Sequence, residues 1–318
     1  MIIEENILRR HDVESLNAVE SGFHSGPVAE ALASAPTLET RSGLSKENFE
    51  QEYRKQRRPV VLEGFVAEWP SVRTWSFEYL AERCGDVQVT VDSYNTKAAR
   101  KVTFAEFVEL LKANEGNTKA PLYLQEWYYQ TSVPQLAADM PEVDIAQYDF
   151  RRNLYGEKAS TNHQLWLGQK GGITRLHQDS YMVDVMHAQI VGTKRWYVMG
   201  PKAELRLDMN GKPDFEALVN FPDTQLHQFV LKPGDVLYLP ANWFHRIELL
   251  SNSIGLGRKC LDEANLQTHI RQRMAELLVL TLNYDEVKQT HPELVDVAIA
   301  RSRAWANRMD IDLSRLRP

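Results

Sequence analysis

The sequence predicts a mainly β protein with helical additions, an antiparallel sandwich or barrel carrying a mixed α and β N-terminal part and C-terminal helices. Three observations carry this expectation. Between Leu122 and Leu249 short apolar runs follow one another, separated by Gly or Pro turns with no long helix between them. Before Leu122, helix signals alternate with single strand-like runs. After Cys260, apolar residues recur at helical spacing.

The elements follow in chain order. Residues 1–40, with the small-residue cluster Ala29 to Pro36, read as a loosely ordered lead-in. Ser45 precedes Lys46-Glu47-Asn48-Phe49 as a helix cap, and Pro59-Val60-Val61-Leu62 forms a short buried strand ending at Gly64. A second helix is expected from Ser76 to Arg83. Val87 to Val91 alternates as a strand does, and Thr103-Phe104-Ala105-Glu106 is a capping-box sequence opening a helix to about Lys112. Strands are then expected at Leu122-Tyr123-Leu124, Gln164 to Leu167, Arg195 to Val198 and Val236 to Leu239, with turns at Gly171-Gly172 and Pro233-Gly234. Leu266, Ile270, Met274, Leu277, Leu278 and Leu282 mark one terminal helix, and Pro292 precedes another carrying Leu294, Ala298 and Trp305. The boundaries expected are a lead-in over 1–40, a main domain over 41–260, and a helical region over 261–318 whose apolar surface suits a homodimer contact.

Composition narrows the function. The 318 residues are 43% hydrophobic and 25% charged, with no apolar run long enough to cross a bilayer. The N-terminus lacks the basic start and apolar stretch of a secretory signal, so a cytoplasmic protein is expected. Cys84 and Cys260 stand far apart and in no CxxC pattern, which argues against a disulfide framework and a zinc-thiolate site. A net charge of −6 argues against a nucleic-acid surface.

The residues that point to chemistry are His177 and Asp179, in Thr174-Arg175-Leu176-His177-Gln178-Asp179, and His245, in Trp243-Phe244-His245. On an extended strand, residues two apart face the same side, so His177 and Asp179 can reach one metal ion while Gln178 turns away. Two histidines and one carboxylate on one side of a metal leave about three coordination positions open, the arrangement of non-haem Fe(II) enzymes that bind a co-substrate and dioxygen. A lone His-x-Asp triplet is weak evidence, since a strand histidine is often a hydrogen-bonded core residue. The surrounding runs strengthen it: Leu165-Trp166-Leu167-Gly168 and Gly171 to Thr174 before it, Val191 to Trp196 after it, and Pro233 to Pro240 ahead of Trp243.

With Pro59-Val60-Val61-Leu62-Glu63-Gly64 and Trp69-Pro70, these motifs resemble the cupin-like JmjC-type Fe(II)/2-oxoglutarate-dependent hydroxylases, the group that includes the hypoxia-pathway asparaginyl hydroxylase. The resemblance runs from about Pro59 to about Lys259. It implies a double-stranded β-helix (cupin, jelly-roll) core, with His177, Asp179 and His245 as iron ligands. Lys194 then matches the base that pairs with the distal carboxylate of 2-oxoglutarate, Thr174 the hydroxyl that bonds the same carboxylate, and Tyr123 the tyrosine that touches the co-substrate. A lysine pointing into a poorly solvated barrel is costly unless a carboxylate meets it, so Lys194 suits a dicarboxylate. The resemblance also implies dioxygen as oxidant and hydroxylation of a protein or peptide side chain. His-x-Asp rather than His-x-Glu leans toward stable hydroxylation over demethylation.

Departures from the family pattern are part of the expectation. The spacing from His177 to Lys194 is closer to that of the JmjC-type lysyl hydroxylases, and His187 falls where those enzymes carry Asn, a position from which it contacts the co-substrate, binds another atom, or packs in the sheet. A glycine in Ser251 to Arg258 falls near where a polar residue often lines the pocket, which leaves room for a bulkier or differently charged substrate. Gln125, Trp127 and Tyr128 are candidates for the substrate entrance. The competing functions are a small-molecule or natural-product hydroxylase, a metal cupin that uses no 2-oxoglutarate, and a non-catalytic scaffold. Three convergent ligands speak against the scaffold.

Overall fold

In a computed structural model of the chain, the structure describes residues 26–93, 96–117, 120–142, 163–179, 182–201 and 225–271, with residues 150, 285, 288 and 289. Two sheets form its centre. Nine strands make the larger, in the order β1-β2-β11-β8-β13-β6-β5-β3-β4, and four the smaller, in the order β10-β9-β12-β7. Their ranges are β1 Thr40–Arg41, β2 Val60–Leu62, β3 Gln88–Ser93, β4 Thr96–Thr103, β5 Leu122–Trp127, β6 Gln164–Gly168, β7 Ile173–His177, β8 Asp184–Val191, β9 Lys194–Met199, β10 His227–Leu231, β11 Val236–Leu239, β12 Phe244–Leu249 and β13 Ser253–Cys260. Every named pairing is antiparallel except that of β1 with β2. Two facing antiparallel sheets closing over side chains are the cupin-type core.

The N-terminal helices expected after Ser45, from Ser76 and after Thr103 all form, and a short one over Pro70–Thr74 was not expected. The short helix α2, Lys46–Phe49, takes Ser45 as cap, whose hydroxyl accepts from the Asn48 amide at 3.2 Å, and continues as a π-helical turn over Glu50–Arg54. The helix α3, Pro70–Thr74, opens on proline, and α4, Phe77–Cys84, is capped by Ser76. The helix α5, Phe104–Ala113, carries the full capping box: the Glu106 amide donates to Thr103 Oγ1 at 3.2 Å, and the Thr103 amide donates to Glu106 Oε2 at 2.7 Å. These helices lay Phe49, Phe77, Leu80, Phe104, Phe107 and Leu111 on the outer face of the larger sheet, against Leu165, Leu167, Met186 and Leu256.

A second apolar cluster fills one end of the space between the sheets, with Leu38, Val61, Val198, Phe229, Leu231, Leu237 and Leu239, all buried. The lead-in departs from the sequence expectation within residues 26–40. Gly26–Ser34 form a helix, α1, whose Val28 and Leu32 are buried against Tyr197, Met199 and Phe244 on the outer face of the smaller sheet. The small-residue composition hid two apolar positions one helical turn apart, and those suffice to dock it. Residues 1–25 lie outside the described residues.

Residues 263–271 are helical, as the spacing of Leu266 and Ile270 predicts. The rest of the expected C-terminal pair, from Met274 to Trp305, and with it the proposed dimer surface, lies outside the described residues apart from 285, 288 and 289. Asp262 caps the helix by accepting from the amides of Ala264 at 2.8 Å and Asn265 at 3.1 Å, while Asn265 Oδ1 accepts from the Asp262 amide at 2.7 Å. Among the described residues no helix is long and apolar enough to cross a membrane.

Candidate metal and co-substrate site

The sheet register brings the three candidate ligands together. On β7 and β12, His177 pairs directly with His245, and their rings stand 4.1 Å apart. With Asp179, they offer ligand atoms that all lie within 4.8 Å of one another. Both histidines use the same orienting device: Nδ1 lies 2.7 Å from the Arg175 carbonyl in His177 and 3.2 Å from the Trp243 carbonyl in His245. A carbonyl only accepts, so each Nδ1 carries the proton and each Nε2 presents a lone pair. Burial holds the His245 pKa below the usual imidazole range, against the upward pull of Asp179 and of the bond to Trp243, so it is a neutral base suited to a metal.

Asp179 differs in one respect from the sequence expectation. The strand ends at His177, and Asp179 falls just past it. Gln178 does turn away, donating from Nε2 to the Asn242 carbonyl at 2.7 Å. Burial pushes the Asp179 carboxyl up, but Lys259, His245 and His177 outweigh it and hold the group below its ordinary value, so it is a carboxylate.

A bulge explains how Thr174 joins the site. Simple alternation puts residues three apart on opposite faces, yet Thr174 and His177 both line one cavity. Between the His245–His177 and Ile247–Thr174 pairs, β12 advances by two residues and β7 by three, and the extra residue re-aims the strand. The cavity, continuous with solvent, is also lined by Tyr123, Gln164, Trp166, Asp179, Val185, His187, Trp196, His245, Ile247 and Lys259. Gln164 and Trp166 face inward from β6, and Val185 and His187 from β8.

Buried polar atoms at this site with no hydrogen-bond partner in the protein include Tyr123 Oη, Thr174 Oγ1, His187 Nε2, Lys194 Nζ and Trp196 Nε1. The Lys194 side chain is fully enclosed, and burial pulls its amine down to about 7. Tyr123 is pushed by burial up to about 12, with Thr174 opposing the shift, and so keeps its proton as a donor. Burial first, then Lys194 and His245, hold His187 well below the usual imidazole range. Leaving one such group unsatisfied costs on the order of 1–3 kcal/mol. Gathered at one cavity, with one of them a potential cation, these groups describe a receptor for an anionic acceptor that the protein itself does not supply.

Other expectations fare differently. The room expected at a pocket glycine is taken: a Cβ built on Gly255 would stand 2.5 Å from His187 Nε2 and 2.9 Å from Lys194 Nζ, and one on Gly257 would stand 3.2 Å from Trp166 Nε1. These glycines make space for His187, Lys194 and Trp166, not for a larger substrate. Trp127 is a packing residue, buried and stacked on Phe104 with centroids 5.3 Å apart. Tyr128 is exposed and accepts from Gln164 Nε2 at 2.6 Å, which places it beside the cavity, whereas Gln125 is half-buried.

Lys259 is a residue the sequence reading missed. Its Nζ stands 3.6 Å from Asp179 Oδ1 and 3.8 Å from Glu126 Oε1. The available signal was parity, since Gly255, Gly257 and Lys259 alternate on one face of β13 and two of the three are glycines.

The chain matches known proteins over this same region. It is 29% identical over 238 residues to a lysine-specific demethylase of Arabidopsis thaliana, covering 69% of this chain and 53% of that protein. It is 27% identical to the tRNA wybutosine-synthesizing protein 5 of Danio rerio, covering 67% of this chain and 72% of that one. To a 2-oxoglutarate and iron-dependent oxygenase of Mus musculus it is 20% identical, covering 80% of this chain and 67% of that one. The chain spans about half the length of the arginine- and lysine-specific demethylases it matches. Its residues 46–263, more than half of its length, match the cupin-like domain, and the chain belongs to the cupin-like family in which the JmjC-type resemblance placed it.

Proposed function

We propose that this chain is an Fe(II)- and 2-oxoglutarate-dependent oxygenase that hydroxylates a C–H bond of a protein or peptide side chain. The observation that carries the proposal is Lys194, a fully buried amine without a partner, set beside a cluster of two histidines and a carboxylate. In this reading His177, Asp179 and His245 hold the iron, and Lys194, Thr174 and Tyr123 hold the distal carboxylate of the co-substrate. When bound, iron and 2-oxoglutarate supply the oxidation, in which dioxygen is consumed, the 2-oxo acid becomes succinate and CO2, and a C–H bond becomes C–OH.

The protein's own contribution is positional. The two Nδ1 bonds to backbone carbonyls fix the imidazoles so that both Nε2 atoms point at one place. Trp196, stacked on the His245 ring with centroids 5.9 Å apart and edge-on to His187 at 5.0 Å, closes the inner wall against water. Gln164 and Lys259 line the cavity, and Tyr128 and Glu126, bonded to Gln164 and close to Lys259, stand beside it, the side from which a target side chain enters in this reading. A lysine-specific demethylase among the relatives supports a protein or peptide substrate, and the Mus musculus oxygenase supports the iron and 2-oxoglutarate chemistry. The tRNA-modifying relative supports a second reading, an RNA nucleoside as target. The 41–260 region is the catalytic domain in this proposal, and 261–318 the contact of a homodimer, which light scattering at micromolar concentration tests. Two free, buried cysteines suit the reducing cytoplasm.

An anaerobic titration of metal-free protein with Fe(II), then 2-oxoglutarate, tests the assignment. A visible charge-transfer band that needs both additions and vanishes in His177→Ala is expected. Absence of the band in folded, iron-loaded protein would overturn the proposal and favour a metal cupin that uses no 2-oxoglutarate.

A further inference from the structure

We infer that His187 is a fourth ligand of the co-substrate's distal carboxylate, donating from Nε2 to one oxygen while Lys194 holds the other, an inference that rests on the oxygenase reading above. His187 sits in the middle of β8, paired with Leu237 on β11 and with Gly257 on β13, and is buried. Its ring stands edge-on to Trp196, a contact that Phe or Leu would serve as well. Packing therefore does not explain an imidazole at this position.

Its placement relative to Lys194 does. A Cβ on Gly255 would crowd His187 Nε2 and Lys194 Nζ together, so both nitrogens converge over the same backbone atom, and neither has a hydrogen-bond partner. Two unsatisfied nitrogens aimed at one small space suit a ligand with two acceptor oxygens at a fixed separation, which is a carboxylate. Thr174 and Tyr123, which lie close enough to each other for Thr174 to lower the Tyr123 pKa, supply donors to the remaining lone pairs. A neutral imidazole in the Nε2–H form gives one hydrogen bond and adds no second cation beside Lys194. Gly255 is part of the device, because any side chain there would displace both nitrogens.

The contact predicts a selectivity that a merely structural histidine would not confer. Titration calorimetry of the full-length, Mn(II)-loaded protein compares 2-oxoglutarate with 2-oxopentanoate, which has the same metal-chelating end and a methyl group where the distal carboxylate would be. The Mn(II) isotherm, measured first on each variant, reports an intact metal site. In His187→Phe the Kd for 2-oxoglutarate is expected to rise about tenfold, the loss of one hydrogen bond to a charged group, with that for 2-oxopentanoate unchanged. His187→Asn, which restores a donor, should recover most of the difference. Equal weakening of both ligands, or an unchanged preference for 2-oxoglutarate in His187→Phe, overturns the inference. Wild-type protein that binds the two acids equally would remove the co-substrate reading itself, a failure distinct from that of His187 alone.

Discussion

At the scale of single residues, Lys194 sets function against stability. Its amine is fully buried with nothing to accept from it, and a buried cation destabilises the fold until an anion arrives. Lys194→Met keeps the stem's volume and removes the charge. It should stabilise the ligand-free protein by roughly 1–4 kcal/mol and cut the further stabilisation that 2-oxoglutarate gives the Mn(II) form to what the metal-chelating end alone provides. Thermal unfolding with and without the acid reads both effects, and a Lys194→Met protein no more stable than wild type would count against the orphan amine. The pH dependence follows from the same group. Burial holds the empty-site amine at about 7, whereas the ligand is anionic throughout the neutral range. Below pH 7 the amine already carries the proton the ligand needs. Above it, binding must draw that proton in, so 2-oxoglutarate affinity should fall by up to about tenfold per pH unit as pH rises past 7. Calorimetry between pH 6 and 8.5 measures this, and in Lys194→Met the slope should vanish.

At the scale of elements, the site depends on joints some distance from the metal. Asp184, at the start of β8, accepts from Arg57 at 2.6 and 2.9 Å, from the Tyr238 hydroxyl at 2.9 Å, from the Ala241 amide at 2.9 Å and from Asn265 Nδ2 at 3.1 Å. One carboxylate thus ties the segment after α2, β8, β11, the turn before β12 and the helix at 263–271. Arg57→Ala leaves Asp184 with three donors but no cation. It should cost about 3 kcal/mol, read as a drop in urea midpoint without a change in slope. Thr103→Ala at the cap of α5 should cost only about 1 kcal/mol, because it removes one exposed cap bond from a helix whose buried face is untouched. The larger loss at Arg57 marks the node as the joint that holds β8, and with it His187, in register. Much of this scale was legible in the sequence: caps at Ser45 and Thr103, the helix beginning near Ser76, and strands at Val60, Gln164, Arg195 and Val236. Strand β8 was not, because Asp184 to Ile190 are buried on both faces and so show no alternation to read. The bulge that turns Thr174 inward left no mark either, since nothing in a run of residues announces which one the partner strand skips.

At the scale of the whole molecule, the site is the place where two sheets meet, and its occupancy should be felt by both. The smaller sheet contributes His177 and Thr174 from β7, Lys194 from β9 and His245 from β12; the larger contributes Tyr123 from β5 and His187 from β8. The ligand types and their approximate spacing could be read from the chain. Which sheet each came from could not, because that depends on pairings such as His245 with His177 and Gly257 with His187, made between residues tens of positions apart. Metal and co-substrate should accordingly act as a clasp between the sheets. At ligand concentrations about a hundredfold over Kd, binding to the folded state alone adds about 2.7 kcal/mol. For a domain of this size that is a rise in unfolding temperature of roughly 5–10 °C. Hydrogen exchange locates the effect: slowing on adding Mn(II) and 2-oxoglutarate together should appear in β5 and β8 as well as in β7, β9 and β12, while α4 and α5, on the far side of the larger sheet, change least. Protection confined to β7 and β12 would mean that the metal binds without the acid bridging the two sheets, and would move Tyr123 and His187 out of the site.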